Sequence, residues 1–83
     1  MRGYNVKATL NDGLNEKERN DVLDQVKKVP GVLSAQFTES ATKKEIFVHS
    51  NLPRNLVDEA ERTIDESLAK IPGVKAVVPV YAL

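Results

Sequence analysis

The chain has no cysteine, a single histidine and no net charge, and each of these closes a class of explanation. Without cysteine there is no disulfide to staple a small fold and no thiolate to hold a metal. Twelve basic and twelve acidic side chains cancel to a formal charge of +0, which argues against nucleic acid, since phosphate binding normally shows as a basic excess or stripe. The only basic doublets, Lys27-Lys28 and Lys43-Lys44, read as solvated surface lysines. No apolar run approaches the roughly 20 residues that cross a bilayer, so a membrane is not an expected partner. The opening Met-Arg-Gly-Tyr-Asn-Val lacks the apolar core of a secretory signal. A cytosolic home is therefore the default expectation, although a mature secreted form would read the same.

Catalytic and metal-binding patterns are equally scarce. There is no glycine-rich phosphate loop, and the two Pro-Gly steps follow expected helices instead of opening them. Imidazole is a side chain suited to acid–base work, but no nucleophile or pocket can be argued around His49, so it reads as a surface imidazole. Asp58-Glu59, Glu61 and Asp65-Glu66 are interleaved with Arg54, Arg62 and Lys70, the pattern of a solvated helix face. No cluster of histidine and carboxylate suggests a metal. The expectation is a protein that is not an enzyme and takes no cofactor.

What is present is a repeat. Lys28-Val29-Pro30-Gly31-Val32 recurs as Lys70-Ile71-Pro72-Gly73-Val74, 42 positions later (70 − 28 = 42). At that offset Tyr4 falls on Ile46, Val6 on Val48, Leu10 on Leu52, Leu14 on Leu56, Val22 on Ile64, Val26 on Leu68 and Ala35 on Val77, without a gap. Such periodicity marks a unit used more than once. In the first unit Tyr4, Val6, Ala8 and Leu10 alternate with polar residues, the period of a half-buried strand. Asn11-Asp12-Gly13 breaks it as a turn. From about Asn15, Val22, Val26 and Val29 recur at helical spacing with Leu23 beside them, and Asn15 or Asp12 is placed to cap the helix. Pro30-Gly31 ends it, and Leu33, Ala35 and Phe37 alternate as a second strand.

The second unit follows the same order. Ile46, Phe47 and Val48 form a strand, Asn51-Leu52-Pro53 breaks it, and Leu56, Ala60, Ile64, Leu68 and Ile71 trace one helix stripe. Pro72-Gly73 ends that helix and Val74 to Val80 make the last strand. The polar link over 39–43 predicts a hairpin between strands two and three. The 83 residues thus make one α+β domain, 1–83. Its order is β-α-β-β-α-β, the ferredoxin-like sandwich, with two helices on one face of a four-stranded antiparallel sheet.

The helices leave the other sheet face open. Asn5, Lys7 and Thr9, then Ser34, Gln36 and Thr38, then Glu45, Phe47 and His49 are expected there. Strand four has no polar face, because Ala76, Val77, Val78, Val80 and Tyr81 leave about three apolar side chains pointing away from the helices in either register. With Phe47 nearby, this predicts an exposed apolar patch, and such patches mark interfaces.

The segment Leu68-Ala69-Lys70-Ile71-Pro72-Gly73-Val74-Lys75-Ala76-Val77-Val78-Pro79 resembles the end of a subtilisin-type propeptide, or of the free-standing inhibitors related to it. The resemblance implies a sheet that packs its open face on a serine protease, with the C-terminal residues in the active-site cleft like a product. Phe47, Val78 and Val80 would then be sheet contacts, and Tyr81, Ala82 and Leu83 the tail. Val78 and Val80 stand where that family usually has acidic residues. The stretch from Val22 to Phe37 is similar to heavy-metal-associated domains, which bind metal through a Cys-x-x-Cys loop; here the loop is Asn11-Asp12-Gly13-Leu14, so the resemblance implies no metal function. The expected function is a non-catalytic protein-interaction module, with a protease-inhibiting or protease-folding role, or self-association as a homo-oligomer, as its specific forms. A small-ligand-binding or regulatory dimer of ferredoxin-like domains is the alternative.

Overall fold

In a computed structural model, residues 3–53 and 58–80 are described. The elements run β1 (Gly3–Leu10), α1 (Glu16–Lys27), β2 (Val32–Phe37), β3 (Glu45–Pro53), α2 (Asp58–Ala69) and β4 (Val74–Val80). The four strands form one antiparallel sheet in the order β2-β3-β1-β4. This is the ferredoxin-like α+β fold that the repeat predicts, with β2 and β4 as its two edges.

Local chemistry explains where each element starts and stops. Asn15 caps α1 with a reciprocal pair of bonds: the Glu18 N–H donates to Asn15 Oδ1 at 2.7 Å, and the Asn15 N–H donates to Glu18 Oε1 at 3.0 Å. Both helices leave by the same exit. The Val29 N–H donates to the Val26 carbonyl and the Ile71 N–H to that of Leu68; Val32 then bonds back to Val29, and Val74 to Ile71. Each pair of bonds is 42 residues from its counterpart. Gly31 and Gly73 take φ of 95° and 99° in these turns, a region nearly closed to other residues, with proline set in the preceding turn position.

The core is what the periodicities named. Tyr4, Val6, Ala8, Leu10, Val22, Val26, Ala35, Ile46, Val48, Ile64, Leu68 and Ile71 are buried together between the helices and one sheet face. Leu56 lies outside the described residues. Ser50, the repeat partner of Ala8, is fully buried, and its Oγ donates to the Tyr4 carbonyl at 2.7 Å. Across the centre Val6 pairs with Val48. Since these two are 42 apart, a rotation that exchanges the halves returns this pair to itself. A pseudo-two-fold axis therefore passes between them.

Three expectations need correction. Leu33 does not alternate inward with Ala35 and Phe37. Val32 pairs with Ser50 and Ser34 with His49, so Leu33 is the extra residue of a β-bulge, and it is 62% exposed. The bulge recurs at Lys75, between the Leu10–Val74 and Thr9–Ala76 pairs, again 42 residues on. Second, 51–53 continue β3 instead of breaking it, with Pro53 opposite Gly3. Beyond Ser50 the β2 ladder has ended, so the missing proline N–H removes no bond on that side. Third, Asp65 is not a solvated helix carboxylate: it is half-buried and accepts the Tyr4 hydroxyl at 3.0 Å on both oxygens. Burial raises its carboxyl above the ordinary 3.8, and the Tyr4 hydrogen bond opposes that.

The β2–β3 hairpin is fastened to α1. Arg19 Nη1 donates to the Thr42 carbonyl at 2.8 Å, and Lys43 Nζ donates to Glu16 Oε1 at 2.7 Å while lying 5.8 Å above the Phe37 ring. The ammonium holds the exposed Glu16 carboxyl below its ordinary 4.5.

Candidate protein-docking face

The register lays out the open face in rows. One reads Ser34, His49, Asn5, Val80 from β2 to β4; the next reads Gln36, Phe47, Lys7, Val78; the third has Glu45, Thr9 and Ala76. Of the predicted contact residues, Phe47 is half-buried near the middle of the face, Val78 is 54% exposed and Val80 half-buried on β4. Phe47 and Val78 are not neighbours: Lys7 on β1 stands between them, and its aliphatic stem can bridge the gap while its ammonium reaches water. Tyr81, Ala82 and Leu83 lie outside the described residues. The apolar part of the face is thus a column on β4, Ala76-Val78-Val80, with Phe47 two strands away on β3.

The repeat supplies an internal comparison for this column. Ala76, Val78 and Val80 are the counterparts, 42 residues on, of Ser34, Gln36 and Thr38. The fold accepts polar side chains at all three positions of the equivalent edge, so neither strand propensity nor packing requires valine on β4. Large contiguous apolar patches mark interaction sites, and this column is the candidate for one here.

β4 offers this column through side chains more than through backbone. The Leu10 N–H donates to the Lys44 carbonyl on the β3 side, and the Asn11 N–H to the Gly73 carbonyl on the β4 side. Even-numbered residues of β1 therefore bond toward β3 and odd-numbered ones toward β4. Asn5, Lys7 and Thr9 exchange bonds with Val80, Val78 and Ala76, while Val77 and Pro79 turn their backbone groups to the free edge. Pro79 sits where its missing N–H costs no ladder bond.

His49 has a partner that sequence reading missed. Its Nδ1 lies 2.6 Å from Asn5 Oδ1 across the β1–β3 pair. An amide oxygen only accepts, so with Oδ1 facing the ring it is the Nδ1–H tautomer that makes this bond. The signal was available: two residues flanking the Val6–Val48 axis must oppose each other on the open face. Among the described residues no group of three or more histidine and carboxylate side chains is placed to hold a metal ion, and no described helix is long and apolar enough to cross a membrane. On the helix side an open cleft of about 210 Å³ is lined by Leu14, Glu18, Asp21, Val22, Gln25, Pro72 and Gly73, with an apolar floor and a carboxylate rim.

Compared with known proteins, the chain matches no family model, and no curated protein is significantly similar to it.

Proposed function

We infer that this chain is a non-catalytic protein-interaction module that docks a partner on the open face of its sheet, over β4. The observation that carries this reading is the column Ala76-Val78-Val80, apolar and outward-facing where the equivalent positions of the other half are Ser34, Gln36 and Thr38. Pro79 and Lys75 make backbone strand addition at β4 unfavourable, which leaves side-chain docking on the face. The partner proposed is a subtilisin-type serine protease, from the resemblance of Leu68 to Pro79 to a propeptide end. In that reading Phe47, Val78 and Val80 contact the protease surface and Tyr81 to Leu83 enter its cleft.

Titrating subtilisin activity with the purified protein tests it. The expected result is inhibition that weakens roughly tenfold or more when Val78 and Val80 are both changed to serine, since each loses of order 1 kcal/mol of apolar contact. Ser34→Ala with Gln36→Ala should leave it unmoved. Inhibition indifferent to the valine changes overturns the docking face; no inhibition overturns the protease as partner. A small-ligand reading has one observation in its favour, the 210 Å³ cleft beside α1, and it requires a metabolite that raises the melting temperature.

A further inference from the structure

The two edge strands are the same stretch of the repeat, and they treat their free edges in opposite ways. On β4 the outward backbone groups belong to Val77 and Pro79, and the bulge residue is Lys75. A proline without an N–H and a lysine at a bulge are both devices by which sheets refuse an added strand. Forty-two residues earlier, β2 has Phe37 in place of Pro79 and Leu33 in place of Lys75. The Thr38 N–H donates to the Glu45 carbonyl, so odd-numbered residues of β3 bond toward β2. Gln36 and Ser34, opposite Phe47 and His49, therefore bond inward. Ala35 and Phe37 turn their N–H and C=O groups to the open edge, beside a Leu33 that is 62% exposed.

We propose that β2 is a self-pairing edge, through which two copies of the chain join antiparallel about a two-fold axis at Ala35 to make one continuous eight-stranded sheet. The occupant is a second copy because the strand is complementary to itself. With Ala35 opposite Ala35 of the second copy, Ser34 opposes Gln36 of the second copy and Leu33 comes level with Phe37 of the second copy. Polar meets polar, the smallest side chain sits at the axis, and the exposed Leu33 flanks the pairing at each end. Val32–Phe37 contains no ionisable side chain, so no like charges meet across the axis. The contact is one short strand wide, far below the area of a permanent dimer, and association is weak and concentration-dependent. It uses none of the residues of the proposed docking face.

The test is the solution mass of the full chain from micromolar to millimolar concentration, with amide hydrogen exchange read at both ends of the range. The mass should climb toward twice 9.2 kDa, and the Ala35 and Phe37 amides should exchange more slowly as it does. Leu33→Lys, which copies the lysine that the other half already carries at this bulge, should move the midpoint up by about tenfold. Its circular dichroism should match the parent, and Val78→Ser should leave the midpoint unchanged. A monomeric mass throughout overturns the proposal, as does a dimer indifferent to Leu33→Lys. A dimer lost in Val78→Ser but kept in Leu33→Lys also overturns it, and assigns association to the open face.

Discussion

Gly13 and Gly73 both hold left-handed backbone, with φ of 85° and 99°, yet replacing each with alanine should have very different consequences. A Cβ on Gly13 meets nothing within 4 Å, whereas one on Gly73 falls 2.7 Å from Val22 Cγ2 and 3.3 Å from Leu14 Cδ1. The left-handed penalty, about 1–2 kcal/mol, is common to both, and it is partly offset by alanine's stiffer unfolded chain, by about 0.4–1 kcal/mol. Gly13→Ala should therefore cost about 1 kcal/mol. At Gly73 the Val22 methyl must retreat by about 0.7 Å to reach the 3.4 Å of ordinary contact. Val22 is buried in α1, and a β-branched side chain on a helix has one favoured rotamer. Overpacking adds about 1–3 kcal/mol, so Gly73→Ala should cost about 3 kcal/mol in all. In a domain whose whole stability is of order 5 kcal/mol, urea midpoints separate the two variants clearly. The double variant Gly73→Ala/Val22→Ala should be more stable than the sum of the single effects allows. Equal losses at the two glycines, or strict additivity with Val22→Ala, would refute the close-approach argument.

Two further substitutions probe the buried polar contacts. Asp65→Asn keeps an acceptor for the Tyr4 hydroxyl and removes a carboxylate that titrates. Because burial raises the folded value above the ordinary 3.8, the folded state binds the proton more tightly, and this group's contribution falls as pH rises through the carboxylate range. The variant should thus gain on the parent from acid toward neutral pH. Glu16, whose opposite shift makes it stabilising above that range, is common to both proteins and drops out of the difference. A midpoint difference, variant minus parent, that is flat or that falls from acid toward neutral pH would contradict this. Ser50→Ala should cost about 1 kcal/mol, the net value of one buried hydrogen bond, with little packing loss because Ala8 fills the equivalent site. A loss in chemical denaturation near zero would show that the bond to the Tyr4 carbonyl contributes nothing.

Most of the fold was legible because it rests on alternation and on the repeat. Strand and helix periods name the core from Tyr4 to Ile71, and the offset of 42 transfers each element to its counterpart. The misreadings have separate causes, the first being that a pattern of side chains does not reveal an extra backbone residue. Leu33 alternates with Ala35 on paper, but the turn at Gly31 delivers Val32 to the core and leaves Leu33 as the surplus residue. Asn51-Leu52-Pro53 looks like a break because proline ends most ladders, and only the sheet order shows that one side of β3 is unpartnered there. Asp65 matches its charged neighbours on α2 in type, and only the position of the Tyr4 hydroxyl separates it from them.

The candidate site is where the two halves of the repeat part company. Most positions that face the helices keep their character under the offset, as with Val6 and Val48, Val22 and Ile64, Val26 and Leu68, while Ala8 and Ser50 differ. Those that face outward on the edge strands do not, and they change in complementary directions. β2 has the polar face of Ser34 and Gln36 with an unguarded edge at Leu33 and Phe37; β4 has the apolar face of Ala76, Val78 and Val80 with an edge closed by Lys75 and Pro79. Core packing demands neither arrangement, since each half shows that the fold tolerates the other's residues. An edge with both an apolar face and open backbone would be an aggregation hazard. Dividing the two properties between opposite edges of the sheet keeps the apolar face away from the open backbone, so that neither edge combines both hazards.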